Sequence, residues 1–201
     1  MHTAAEMRQA RRSGNRVRHS RPPVRRKRDF NMTPAHIAGL AIAAIACVTD
    51  LRSRRIPNVL TFGAALAGLV YQLATGGIDG LGQGALGWLV GVVAFILPFA
   101  LGGLGGGDVK LLGALGAWLG PSDAVWLALY TGAAGGAMAV VVSLINGYFG
   151  TAMQNIKLLL CHWQVAGVGA LREITLEHSG GPKLAYALPI LTGLVATIWL
   201  R

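Results

Sequence analysis

The stretch that decides the fold reads Gly102-Gly103-Leu104-Gly105-Gly106-Gly107-Asp108-Val109-Lys110-Leu111. An apolar run without a charged residue, about 83–101, precedes it, and a second apolar run, about 108–120, begins at its aspartate. A spanning helix needs about 20 residues, so the first run is long enough to cross a bilayer. The second rises only about 20 Å and does not cover a hydrocarbon core of about 30 Å unaided. Each glycine between them costs about 1 kcal/mol in a helix relative to Ala, so that segment is a poor helix. Irregular backbone at membrane depth survives only where protein buries it or it lines a wet cavity. The run therefore predicts a water-accessible pocket with a short helix starting inside it. Asp108 would sit at that helix's N-terminus, where free N–H groups and the helix dipole favour a carboxylate. The run is neither a P-loop, since no Gly-Lys-Ser/Thr follows, nor a G-x-G-x-x-G fingerprint, since from Gly103 the last position is Asp108.

Working outward, the pattern repeats. Further apolar stretches lie at about 34–50, 58–75, 123–146 and 184–200, which makes six in all. Hydrophobic residues are 53% of the 201-residue chain and charged residues only 13%. Soluble domains carry about 25% charged residues, so a soluble enzyme is excluded. Disorder over most of the chain is excluded by the apolar content. The 29 glycines follow no G-X-Y period, and pairs such as Gly87/Gly91, Gly116/Gly120 and Gly132/Gly136 read as close helix packing. The expected fold is an all-α polytopic membrane protein with about six transmembrane helices and a Gly-rich loop leading into a short fourth helix.

Loop charges orient it. Loop 51–57 holds Arg52, Arg54 and Arg55, the fourth stretch opens with Lys110, and segment 148–183 holds Lys157, Arg172 and Lys183. The alternate loops hold only Asp79 and Asp123. The positive-inside rule places the first set in the cytoplasm. Two crossings separate Asp50 from Asp108, so both return to the cytoplasmic face. Segment 148–183 reads as an interfacial helix built on Ile156, Leu158, Leu159, Leu160, Trp163 and Val165, and Gly180-Gly181-Pro182 punctuates the approach to the last span.

The net charge of +10 is concentrated at one end: residues 1–29 hold ten Lys/Arg against Glu6 and Asp29. Six crossings put this tail outside, against the usual bias. A start at Met32 resolves the conflict; a signal sequence ending near Ala44-Ile45-Ala46, or a re-entrant first stretch, are the other readings. The expected organisation is a basic tail, 1–31, ahead of a membrane domain, 32–201. The tail carries no nucleic-acid motif, so no nucleic-acid partner is expected. Cys47 and Cys161 belong to no C-x-x-C pair, and His162 lacks further ligands at metal spacing, so no metal site is expected.

Asp50 closes the first apolar stretch and Asp108 opens the fourth. Ionisable groups at membrane depth are costly and therefore candidates for function. Asp79 and Asp123, in short loops beside Gly or Pro-Ser, read as ordinary interfacial residues. Two carboxylates about 4 Å apart repel by about 4 kcal/mol at an effective dielectric near 20. Such a pair retains one shared proton, which suits an aspartic protease: one carboxylate takes a proton from water while the other polarises the scissile carbonyl. The same pair would also serve a proton-coupled transporter, and spacing alone does not separate these readings.

Two motifs carry a resemblance. Asp50-Leu51-Arg52-Ser53-Arg54-Arg55-Ile56-Pro57-Asn58 resembles the first aspartate motif of the type IV prepilin peptidases, an Asp, five residues, then Ile-Pro-Asn. Gly105-Gly106-Gly107-Asp108-Val109-Lys110-Leu111 resembles their second, Gly-x-Gly-Asp followed by x-Lys-Leu. The resemblance covers about residues 34–200. It implies Asp50 and Asp108 as catalytic residues, Gly105 and Gly107 as motif glycines, and Pro57, Asn58 and Lys110 as parts of the motifs and pocket. It also implies a bacterial inner-membrane endopeptidase that cuts the basic leader from a prepilin-like precursor at the cytoplasmic face. Arg52, Arg54 and Arg55 are expected to set topology. Lys110 is expected either to tune Asp108 or to meet lipid phosphate.

The long members of that family carry paired C-x-x-C motifs between the first two spans and also N-methylate the mature pilin. Here the corresponding loop has about seven residues, so neither methyltransferase activity nor a cofactor is expected. The short form resembles the enzymes of tight-adherence and Flp-type pili. Presenilin and signal peptide peptidase also use Gly-x-Gly-Asp, but their Tyr-Asp and Pro-Ala-Leu motifs are absent; Ala187-Leu188-Pro189 is not the latter.

Overall fold

A computed structural model describes residues 32–100, 103–147, 150, 154 and 185–201. The basic tail 1–31, Gly102, Cys161 and nearly all of segment 148–183 lie outside the described residues. The described elements are all helices: α1 (Pro34–Ser53), α2 (Asn58–Ala100), α3 (Gly106–Leu119), α4 (Pro121–Ile145) and α5 (Ala187–Leu200). By length and composition α1, α2 and α4 can each cross a membrane, and α5 is a shorter apolar helix.

Local chemistry sets the helix ends. The Thr33 hydroxyl accepts the His36 N–H, and Pro34 occupies the first helical position of α1, where its missing N–H costs nothing. At the other end Arg54 enters the left-handed region at φ 50° and donates its N–H to the Asp50 carbonyl, which stops the helix. The α3–α4 connection is the single residue Gly120, whose φ of 80° few side chains tolerate, and Pro121 starts α4.

The second and third apolar stretches form one continuous element, α2, of 43 residues. A straight helix of that length would run about 65 Å, twice the hydrocarbon core. It folds back instead at Gly77 (φ 61°, ψ −147°). Beyond that point Gly80 lies against the Gln72 backbone, and Gly84 against the side chains of Leu69 and Gln72. The first arm, 58–76, runs alongside α3, with Asn58 at Lys110 and Gly68 at Trp118. The second arm, 78–100, runs opposite to α3, with Gly87 at Gly116 and Gly91 at Leu112. The expected loop between the two stretches shrinks to one glycine.

Many large apolar side chains of the outer helices face outward, while the core combines small residues with Leu111, Leu112, Leu115, Leu127, Ile190 and Leu194. Val59, Leu66, Ile78 and Ile145 are among the most exposed, while the buried positions of α1 are Ala35, Gly39, Ala43, Ala46, Cys47 and Asp50. Lipid is as apolar as leucine, so helices in it associate by close packing, which small residues permit. A Cβ on Gly87 would overlap the Gly116 carbonyl, and a Cβ on Gly116 would overlap the Gly87 carbonyl. Gly87, Gly91 and Gly116 are thus packing glycines, as their spacing predicts, whereas Gly132 and Gly136 face open space and Gly120 serves the turn into α4, so for those three the packing reading is corrected.

The short fourth stretch is explained by where it sits. Every residue of α3 from Leu111 to Ala117 is buried. α3 packs against α1, both arms of α2, α4 and α5. A helix that is apolar all round belongs in a core. α3 is the hub of the bundle, and fourteen residues suffice because the surrounding helices, rather than lipid, enclose it.

Candidate active site

Asp50 continues the buried stripe of α1. Positions 35, 39, 43, 46 and 47 point inward, and a helix of 3.6 residues per turn brings position 50 to the same face. The residue is only 8% exposed. Its Oδ2 accepts the Ala187 N–H at 3.3 Å, from the first turn of α5.

Asp108 occupies the third position of α3. Its Oδ2 accepts the Gly105 N–H at 3.1 Å, while its own N–H donates to the Gly105 carbonyl at 3.1 Å. This reciprocal arrangement satisfies two of the donors that a helix start leaves without a partner. Asp108 is also 8% exposed.

Both aspartates line one cavity of about 370 Å³. Ile56, Pro57 and Asn58 form one wall of it and Gly105, Gly106 and Gly107 another, with Arg54 and Arg55 also lining it. The glycines allow the walls to approach closely. A Cβ on Gly107 would come within 3.2 Å of Ile56 Cβ, and one on Gly105 within 3.1 Å of Asp108 Oδ2. The pocket expected from the glycine run is therefore where the two motifs meet.

Pro57 and Asn58 shape the start of α2. The Pro57 carbonyl accepts the N–H groups of Leu60 and Thr61. The Asn58 side chain accepts a hydrogen bond from Lys110 Nζ at 3.0 Å, and the ammonium also sits 5.2 Å from the centre of the Phe62 ring. Lys110 thus joins the second motif to the first across 52 residues of chain, a role that neither sequence reading of it anticipates. Among the described residues no three His, Cys, Asp or Glu side chains gather as metal ligands would.

One contributor escapes sequence reading altogether. The Ala187 N–H that holds Asp50 comes from a backbone, 137 residues away, in a segment with no motif. Its only sequence signal is that the last apolar stretch begins there. The other two acids among the described residues stand apart. Asp79 is exposed near the α2 turn, and Asp123 pairs with Arg201 Nη1 at 2.7 Å.

Taken together, the fold and the site define a helical membrane protein with two buried carboxylates, from separate motifs, lining one glycine-walled cavity. The profile of the type IV leader peptidase family matches residues 37–152, and the chain belongs to that family. It is similar to the prepilin leader peptidase/N-methyltransferase of Aeromonas salmonicida strain A449, 34% identical over 157 residues, covering 75% of this chain and 44% of that protein. It is also similar to the protein of the same name from Aeromonas hydrophila, 33% identical over 106 residues, covering 49% of this chain and 36% of that protein. The chain thus spans less than half the length of these relatives. No solved structure matches it.

Proposed function

We propose that the protein is a membrane-embedded aspartic endopeptidase of the bacterial inner membrane. In this reading it removes the basic leader from prepilin-like precursors, of the Flp type, at the cytoplasmic face. The observation that carries the reading is the convergence of Asp50 and Asp108 on one cavity, each accepting a backbone N–H among the described residues. Six crossings, counting the two arms of α2 separately, return both aspartates to the face that bears Arg52, Arg54 and Arg55. The membrane domain begins near residue 32.

The chemistry follows from the shared proton. The ionised member of the pair takes a proton from water as the oxygen attacks the scissile carbonyl carbon. The protonated member donates to the carbonyl oxygen, giving a neutral tetrahedral intermediate. Its collapse breaks the C–N bond and delivers a proton to the leaving amine, and the pair again holds one proton. Low dielectric around buried carboxylates strengthens each of these interactions. The Gly105–Gly107 wall lets an extended peptide backbone approach the pair closely.

Co-expression of the chain with candidate pilin precursors, followed by mass analysis of the products, tests the reading. Loss of the basic leader is expected with the wild-type chain and not with Asp50→Asn or Asp108→Asn, with membrane insertion retained in all three. Near-normal processing by Asp108→Asn would refute the assignment.

A further inference from the structure

The first turn of α5 carries no motif, yet it touches the site. Among the described residues each carboxylate receives one side-chain hydrogen bond: Ala187 N–H to Asp50 and Gly105 N–H to Asp108. The Gly105 donor is only three residues from its acceptor and forms with the helix start itself. The Ala187 donor belongs to a different helix, so its position depends on how α5 is seated.

Tyr186 is the residue placed to seat it. It immediately precedes the helix and its carbonyl accepts the Ile190 N–H. Its ring meets Phe95 of α2 edge-on, with centroids 6.2 Å apart. Its hydroxyl end fills a notch in α4 that exists because residue 135 is glycine: a Cβ there would overlap the Tyr186 hydroxyl. The same side chain, with Gly103 and Leu104, lines a second cavity of about 620 Å³ beside the motif loop. A rigid ring wedged between two helices fixes the adjacent backbone. Its removal forfeits those contacts and frees the turn to shift.

We propose that Tyr186, seated in the notch that Gly135 leaves in α4, is a positioning residue that sets the first turn of α5 so that the Ala187 N–H holds the Asp50 carboxylate in the dyad. This rests on the peptidase reading above. A displacement of about 1 Å in a reacting group costs up to about a hundredfold in rate, even when the change lies away from the chemistry.

The test uses the full chain in liposomes with a cleaved prepilin-like precursor. It compares kcat and KM for wild type, Tyr186→Ala, Gly135→Ala, the double variant Gly135→Ala/Tyr186→Phe, Gly193→Ala and Asp108→Asn. Tyr186→Ala and Gly135→Ala are expected to lower kcat by about tenfold to a hundredfold with KM within about twofold. The double variant should recover part of the Gly135→Ala loss, because the hydroxyl is the atom nearest the new methyl. Gly193→Ala meets the hydroxyl and backbone of Thr131 in the same helix pair, about 9 Å farther along α5, and reports disturbed α4–α5 packing away from Tyr186. It should cost kcat less than about threefold. Equal kcat losses in Tyr186→Ala and Gly193→Ala, a loss carried by KM, or no recovery in the double variant would overturn the proposal. The peptidase reading fails differently, in that Asp108→Asn then matches wild type. Cleavage by wild type, none by Asp108→Asn and full kcat in Tyr186→Ala would sink the positioning role alone.

Discussion

Asp108 and Asp123 occupy the same position in consecutive helices. Each is the third residue of its helix, after a glycine cap, Gly105 in one case and Gly120 in the other. Their surroundings differ. Asp108 is buried against a cavity it shares with Asp50, and no cation neutralises it among the described residues. Asp123 is a third exposed, with Arg201 on one oxygen and Ser122 drawn into the same cluster by the guanidinium. A helix N-terminus stabilises either carboxylate by the same dipole. What separates a candidate catalytic acid from a surface clasp is the partner: a second acid in a cavity in one case, a base at the bundle's rim in the other.

The sharpest way to break this contrast is at the dyad. Under the proposed shared-proton mechanism, Asp50→Asn and Asp108→Asn should each reduce processing by roughly a thousandfold or more, and the double variant should be no worse than either single one. Initial rates of leader removal check this, and additive losses would mean independent roles. Next comes Gly107→Val. Its Cβ already crowds Ile56, so the two motif walls must part, and a loss of about tenfold or more is expected from the same assay. Gly132→Val, on an open face of α4, should lose far less.

Lys110→Met removes the bridge to Asn58 while keeping most of the aliphatic stem over Phe62. A partial loss of about three- to tenfold is expected, since a hydrogen bond from a charged donor contributes about 1.5–3 kcal/mol at most and this one is exposed. Asn58→Ala should give a similar loss, and the two together no more than one alone. The smallest effect belongs to Asp123→Asn. It should leave processing unchanged and lower stability by at most about 1 kcal/mol, the range of exposed ion pairs, as thermal unfolding in detergent would show.

Much of the site was legible because its side chains are local in sequence. Asp50 with Ile56-Pro57-Asn58, and Gly105 with Gly107, Asp108 and Lys110, each lie within a few turns of chain. The apolar runs likewise announced the helices, and the deficit in length of the fourth foretold that it would not stand alone against lipid. Backbone contributions over long separations were not legible. Nothing in Ala187 as a residue type marks it as a donor to Asp50. Nor does Gly135 declare that it makes room for Tyr186, since a packing glycine and an idle one read alike. The sequence offers Lys110 either Asp108 or lipid phosphate, yet its partner, Asn58, is set by the parallel course of α2's first arm beside α3. The Asp123–Arg201 pair joins residues 78 apart, and only the proximity of the α4 start and the α5 end creates it.

The enclosure of α3 shields one aspartate of the pair from the bilayer but not the other. Helices exposed to lipid tilt or bend when membrane thickness changes, each ångström of mismatch costing a fraction of a kcal/mol. From Leu111 to Ala117 the helix that carries Asp108 has only protein around it. α1, which carries Asp50, instead turns Ile37, Ile45 and Val48 outward, so it takes up such changes first, and lipid thickness reaches the site as a shift of Asp50 against Asp108.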